Sequence, residues 1–267
     1  EERGPVTIRQ ALAGSLNIPA VKTLYLAGLD NVVKLAKDFG YTTLGDRDRY
    51  GLSLVLGGGE VKLLEHVNAY ASFAREGVYK DSLPILAIED SEGKEIEDNK
   101  DNKGRRILDK DKVRLLNDIL SDNAARSYVF GESNYLTLPD RPVAAKTGTT
   151  NDYRDSWTIG FTPQIALGVW AGNNDNSAMS NGASGSQVAG PIWNKVMREL
   201  TKNLPVAGFA KTELNSCRKP MVCGELSDEE IIKIDKMSGL LATEYTPYTQ
   251  IEERKYLQVH NILQYVN

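Results

Sequence analysis

Apolar positions fall into helical spacing over several segments of the chain and into short extended runs between them. Thr7-Ile8-Arg9-Gln10 fits a capping box, with threonine before the helix and glutamine three residues on, and predicts a first helix through Ala11, Leu12 and Ala13 to Gly14. Asn17 is a good N-cap and Pro19 suits a first turn, so a second helix is predicted through Val21, Leu24 and Leu26 until Gly28 stops it. A third runs from Val32 to Phe39 and ends at Gly40. Gly51 to Gly59 is apolar and then glycine-rich, but Gly57-Gly58-Gly59-Glu60 lacks the lysine and hydroxyl of a phosphate-binding loop and reads as a turn. The most regular helix, Val61 to Glu76, places Val61, Leu64, Val67 and Ala71 on one stripe, with Leu63, Tyr70 and Ala74 beside it.

Pro84 to Glu97 reads as a hairpin turning at Asp90-Ser91-Glu92-Gly93, while Glu95 to Arg106 is charged without apolar period and predicts a solvated loop. Asp111 to Ser121 is helical, with Val113, Leu116 and Leu120 on one side. Ser156 to Phe161 and Gln164 to Ala171 form a second hairpin, joined at Thr162-Pro163 and adjacent in sequence to an extended run at Val143-Ala144-Ala145. Asn173 to Gly185 is loop, and Val188 to Leu200 is a last strong helix with Ile192, Val196 and Leu200 in register. Beyond Asn203 proline and glycine punctuate a stretch with little period, so 1–203 reads as the main body and 204–267 as an appended tail or small module.

Composition narrows the function classes. The 267 residues leave room for a real core in one large domain or two smaller ones. A 41% hydrophobic, 25% charged chain of net charge −4 with both signs interspersed carries no footprint for nucleic acid or an anionic membrane. No apolar run approaches the roughly 20 residues of a membrane span. Cys217 and Cys223 flank Pro220 and allow either a small disulfide loop or two free thiols. His66 and His260 are remote from them and from each other, so neither a zinc site nor any other metal is expected. His66 lies on the half-buried face of its helix and reads as a core or surface histidine.

One stretch departs from ordinary strand chemistry. After Val143-Ala144-Ala145 come Lys146-Thr147-Gly148-Thr149-Thr150-Asn151. Lysine is rarely buried without a partner, Gly148 admits close approach of a backbone or ligand, and the threonine hydroxyls on either side both donate and accept. This reads either as a strand edge built to hold an anion such as a carboxylate or as a strand running into a surface loop. Ser15 and Asn17 sit at the tight joint between the first two helices, where on local grounds both read as caps.

Ser15-x-Asn17 together with Lys146-Thr147-Gly148-Thr149 resembles two of the three signature motifs of serine penicillin-binding proteins and β-lactamases. Their surroundings look like the transpeptidase domain of class A bifunctional penicillin-binding proteins: Thr7 to Leu12 leading into Ser15 to Val21, Leu56-Gly57-Gly58-Gly59-Glu60 with Asn68-Ala69-Tyr70, and Asp155-Ser156-Trp157 after Asn151. The resemblance runs in matching order over roughly residues 4 to 200. It implies an α+β fold of the penicillin-binding protein and serine β-lactamase kind, an antiparallel sheet flanked by helices in α/β/α layers. It implies peptidoglycan cross-linking through an acyl-serine, with a D-Ala-D-Ala stem peptide as donor, an amine of a neighbouring stem as acceptor, β-lactams as inhibitors and no cofactor. Ser15 would relay protons to the leaving group, Asn17 would bind the substrate amide and orient the base, and Lys146 would supply positive potential. Thr147 and Thr149 would bind the terminal carboxylate, the Thr149 N–H would form half an oxyanion hole, and Gly148 would let the peptide lie along the strand edge.

The third motif, Ser-x-x-Lys, would precede the Ser15 joint, and the fourteen residues there do not contain it. Ser91-Glu92-Gly93-Lys94 and Ser216-Cys217-Arg218-Lys219 match its spelling but fall on a hairpin turn and in the cysteine tail, not on a helix that would put serine and lysine on one face. Ser121-Asp122-Asn123 spells the β-lactamase form of the second motif in the wrong place in the order. The expectation is a piece of a longer protein whose nucleophile helix, glycosyltransferase domain and membrane anchor lie upstream, acting on the extracytoplasmic face of the cell membrane. The rivals are a D,D-carboxypeptidase or β-lactamase, and a non-catalytic stem-peptide or β-lactam-binding module.

Overall fold

The helices are α1 (Ile8–Ala13), α2 (Asn17–Ala27), α3 (Leu29–Asp38), α4 (Leu63–Ala74), α5 (Lys110–Ser121), α6 (Asn123–Phe130) and α7 (Ala189–Thr201) in a computed structural model that describes residues 4, 6–45, 47–99, 103–212 and 229–257. The strands are β1 (Val78–Tyr79), β2 (Ala87–Glu89), β3 (Glu95–Asp98), β4 (Arg105–Arg106), β5 (Ala144–Thr149), β6 (Asp155–Phe161), β7 (Ala166–Gly172), β8 (Glu229–Asp235) and β9 (Ile251–Leu257). They fall into two compact units, Ala11–Thr212 and Glu1–Gln10 with Glu213–Asn267.

The larger unit is built on the antiparallel sheet β5-β6-β7. Its central strand β6 is buried on both faces, because successive side chains point to opposite sides and each side meets a helix. Gly168, opposite Ile159, lies against Val67 and Leu63 of α4. On the other face Gly160 lies under Trp193 of α7, so close that a Cβ would collide with the indole. Ala144 and Phe161 pack with Leu120 of α5, whereas Ala145 packs with Trp193 and Met197 of α7. The result is α4 and α5 on one face and α7 on the other, the α/β/α layering expected. Trp193, Met197, Phe161 and Val113 have no accessible surface. Burying each such side chain contributes roughly 1.5–3 kcal/mol, so this double-sided packing holds β5 in place.

Several local expectations change. The stripe Ile192, Val196 and Leu200 faces outward, at 49%, 38% and 47% exposure, while Ala189, Trp193, Met197 and Thr201 form the buried face of α7. Both stripes have helical period, and the sheet selects the one carrying the large indole. In α4, Leu64 is 66% exposed and the sheet is met by Leu63 and Val67 instead. The helix from Val32 starts earlier, at Leu29, and the apolar run after Gly51 forms a short 3-10 helix, Leu52–Leu56. Arg105–Arg106, placed in a solvated loop, pairs with Val78–Tyr79, and α6 carried no sequence signal strong enough to set it apart.

In the smaller unit β8 and β9 pair antiparallel from Glu229↔Leu257 to Asp235↔Ile251, with Ile234 buried. Cys217, Cys223 and Ser216 to Lys219 lie outside the described residues, as does His260.

Candidate active site

The joint between α1 and α2 is closed by backbone bonds, Ser15 N–H to the Leu12 carbonyl at 3.1 Å and Leu16 N–H to Ala11 at 2.9 Å. The capping box that starts α1 forms as expected, with Gln10 N–H donating to Thr7 Oγ1 and Thr7 N–H to Gln10 Oε1. Ser15 takes φ 57°, the left-handed conformation that ends many helices but is normally left to glycine or asparagine. A serine held there is a strained position that the fold retains, as it does at Glu76, Asp152, Tyr153 and Asn176. Asn17 is not the N-cap. Leu16 occupies the cap in extended conformation, and Asn17 is the first helical residue, exposed, with a side chain free of hydrogen bonds to the described residues. Its amide is therefore available to a ligand.

Lys146 reaches Ser15 across the molecule. Its Nζ donates to Ser15 Oγ at 2.6 Å and to the Thr147 carbonyl at 2.7 Å. Burial, and then the charge of Arg126, push the ammonium down to about 8. Near neutral pH the group is thus close to exchanging its proton, which an exposed lysine is not.

The backbone of β5 is set by its register with β6, Lys146↔Ile159, Thr147↔Thr158, Gly148↔Trp157 and Thr149↔Ser156, and by the bond from Thr150 N–H to the Asp155 carbonyl at 3.2 Å. Alternation in an antiparallel pair then turns the groups of Lys146 and Gly148 towards β6 and those of Ala145, Thr147 and Thr149 towards the open edge. The Thr149 N–H therefore faces the edge where an added peptide strand would lie. Side chains alternate the other way. Lys146 projects from one face of β5, and Thr147 and Thr149 from the face shared with Thr158.

The loop before α7 supports that second face. Gly185 N–H donates to Thr149 Oγ1 at 2.9 Å, and the Gly185 carbonyl accepts from Thr158 Oγ1 at 2.9 Å. Thr149 keeps its own hydroxyl proton to donate, and the Thr147 hydroxyl makes no hydrogen bond with the described residues. Close approach falls as much to Gly185 as to Gly148. A Cβ on Gly185 would sit 2.5 Å from the Gly148 carbonyl oxygen and 3.1 Å from its nitrogen, whereas one on Gly148 would meet the Trp157 side chain, at 3.3 Å from its Cβ. Gly185 carried no motif to mark it. After Thr149 the chain turns through Asp155, whose carboxylate accepts from Thr150 Oγ1 at 2.8 Å and from Trp170 Nε1 at 2.8 Å.

Trp157, opposite Gly148, meets His66 edge-on at 5.7 Å between ring centres. His66 Nδ1 lies 2.5 Å from the Tyr41 hydroxyl, and burial pushes the imidazole down to about 4. It is a neutral member of an aromatic cluster with Tyr41, Tyr70 and Trp157.

The competing motifs serve local structure. Ser91 to Lys94 occupy the β2–β3 turn, where Asp90 accepts from the N–H groups of Glu92 and Lys94. Ser121 donates to the Asn117 carbonyl, Asp122 caps α6 through Ala125 N–H, and Asn123 donates to the Glu132 carbonyl.

Comparison with known proteins bears on this geometry. The family profile of the penicillin binding protein transpeptidase domain matches residues 1–198. Penicillin-binding protein 1A of Aquifex aeolicus is 37% identical over 210 residues, covering 78% of this chain and 28% of its own length. Penicillin-binding protein 2D of Bacillus subtilis is 35% identical over 212 residues, covering 77% and 29%. The chain thus spans less than a third of these relatives. Among solved structures, PonA1 of Mycobacterium tuberculosis in complex with penicillin V superposes with a TM-score of 0.69 at 24% identity, over 80% of this chain and 61% of that one. Penicillin-binding protein 1A of Haemophilus influenzae gives 0.66 at 21%, over 96% and 41%. These structures share the fold.

Proposed function

We propose, since this chain belongs to the penicillin-binding protein transpeptidase family, that it supplies the substrate-anchoring and proton-relay side of a peptidoglycan D,D-transpeptidase site. The contact between Lys146 Nζ and Ser15 Oγ carries this reading, because it joins the two motifs that acyl transfer needs side by side.

The donor stem peptide lies along the open edge of β5, its terminal carboxylate held by the Thr147 and Thr149 hydroxyls in the positive field of Lys146. Asn17 bonds its amide, and the Thr149 N–H stabilises the oxyanion. A serine from a Ser-x-x-Lys helix, which the described residues do not contain, gives its proton to the lysine of that motif and attacks the D-Ala-D-Ala carbonyl. The C–N bond breaks, and the departing nitrogen takes a proton through Ser15, resupplied by Lys146. An acceptor amine then attacks the ester, forming the cross-link and releasing the serine. With its ammonium pushed down to about 8, Lys146 passes and recovers that proton readily near neutral pH. β-Lactams enter the same site as acylating analogues. The working site lies on the extracytoplasmic face of the membrane, and the appended module begins after Thr212 rather than after Asn203, because Leu204, Phe209 and Thr212 stay with the larger unit.

Fluorescent penicillin tests this. The complete protein from which the chain derives should be labelled, its Ser15→Ala variant about a hundredfold more slowly, and residues 1–267 alone not at all. Labelling of the 267-residue chain, or an unlabelled complete protein, would sink the reading. Product analysis separates cross-linked peptide from D-alanine release alone, the outcome for a carboxypeptidase.

A further inference from the structure

Arg126 is 2% exposed, and no sequence motif marks it. It comes from α6, and its guanidinium donates to main-chain carbonyls from three places: Leu120 at the end of α5, Asp122 at the cap of α6 (3.4 Å) and Ala145 of β5 (3.3 Å). A buried charge is retained only where its donors are satisfied, and a guanidinium fork reaches separate carbonyls as an ammonium cannot. The Ala145 carbonyl is one of the groups β5 turns to its open edge, and it belongs to the peptide bond leading into Lys146. We propose that Arg126 is a positioning residue of the acyl-transfer site, one that closes the inner end of the β5 edge and fixes the direction in which Lys146 leaves the strand towards Ser15.

Two consequences follow from the geometry. An incoming peptide strand finds the Ala145 carbonyl already taken, so pairing can start only further along, towards Thr147 and Thr149. A fixed positive charge also stands beside Lys146, which favours loss of its proton. On α4, His66 meets the Tyr41 hydroxyl, Glu65 bonds Thr42 and Lys62, and burial keeps the Tyr70 phenol protonated, while Lys110 and Lys112 of α5 are exposed. On α5, Arg114 pairs with Glu76 and Asp111, and Asp118 is exposed. On β6, Asp155 is held by Thr150 and Trp170. Asp122 caps α6 and acts on Arg126 itself, and the α1–α2 joint presents the neutral Ser15.

This inference rests on the transpeptidase reading, and the test separates the two. Penicillin acylation rates of the complete protein are measured across pH for wild type, Arg126→Gln and Arg126→Lys, with melting temperatures alongside. Arg126→Gln should lower the rate about tenfold or more and move the limb of the profile belonging to Lys146 upward by about half a unit or more. Arg126→Lys keeps the charge and loses the fork, so the limb should stay and the rate should still fall. Should Arg126→Gln not fold, an unchanged rate in Arg126→Lys overturns the proposal, and a reduced rate at an unmoved limb and melting temperature supports it. Rates that fall only with melting temperature, the limb unmoved in both variants, leave Arg126 a structural residue and also overturn it. A wild type that is not acylated refutes the proposed function instead.

Discussion

Lys146 Nζ and Ser15 Oγ are 2.6 Å apart across 131 positions of sequence, joining the end of α1 to the edge strand β5. On the proposed reading the two groups share one proton rather than serving as separate anchors. Lys146→Met and Ser15→Ala in the complete protein should each lower penicillin acylation by about a hundredfold. The double variant should be little worse than either, because groups acting as a unit are non-additive. Multiplicative losses in acylation kinetics would show that the contact has no role.

Lys146 also lowers stability. Its ammonium titrates at about 8 in the fold against 10.5 when free, so between those values the unfolded chain binds the extra proton and stability rises with pH. Below about pH 8 the burden is complete, at most about 3 kcal/mol. Lys146→Met should thus be more stable than wild type at pH 7, with the gain shrinking as pH rises towards 10.5, in urea unfolding across that range. A constant difference would remove the titration from the account.

His66 acts with the same sign in a more acid window. Folded it titrates at about 4, unfolded at 6.5, so the unfolded state gains a proton first and the protein loses stability as pH falls through that window. His66→Gln should flatten the loss between pH 6.5 and 4. Tyr41→Phe should cost about 1–3 kcal/mol by leaving Nδ1 unpaired, measured at neutral pH.

Gly185 should tolerate less than Gly148. Gly185→Ala drives a methyl into the main chain of Gly148 and Trp157 and should cost about 1–3 kcal/mol while displacing the N–H from Thr149. Gly148→Ala presses only on the Trp157 side chain and should unfold close to wild type, while still slowing acylation at the β5 edge. Equal melting temperatures for the two variants would contradict the packing.

The layered fold was legible because hydrophobic period and short apolar strands are local properties. The strands β5, β6 and β7, the capping box at Thr7 and the helices α4, α5 and α7 all begin and end within a few residues of their expected places. Which stripe of a helix is buried was not legible. In α7 two apolar stripes compete, and the choice of Trp193 over Val196 depends on the bare surface that Gly160 offers from another strand.

The sequence by itself determined the chemistry on offer: a serine and an amide at a helix joint, and a lysine, threonines and glycine on a strand. Motif spelling carries that much because residue type limits what a group can donate, accept or hold. Only the tertiary structure decided that Ser15 sits in a left-handed turn against Lys146, that Asn17 opens α2 rather than capping it, and that Arg126 and Gly185 bond the two ends of the β5 edge. Burial, close approach and the field of a neighbouring charge are properties of pairs of segments. They arise when distant parts of the chain are packed together, and no local pattern records them.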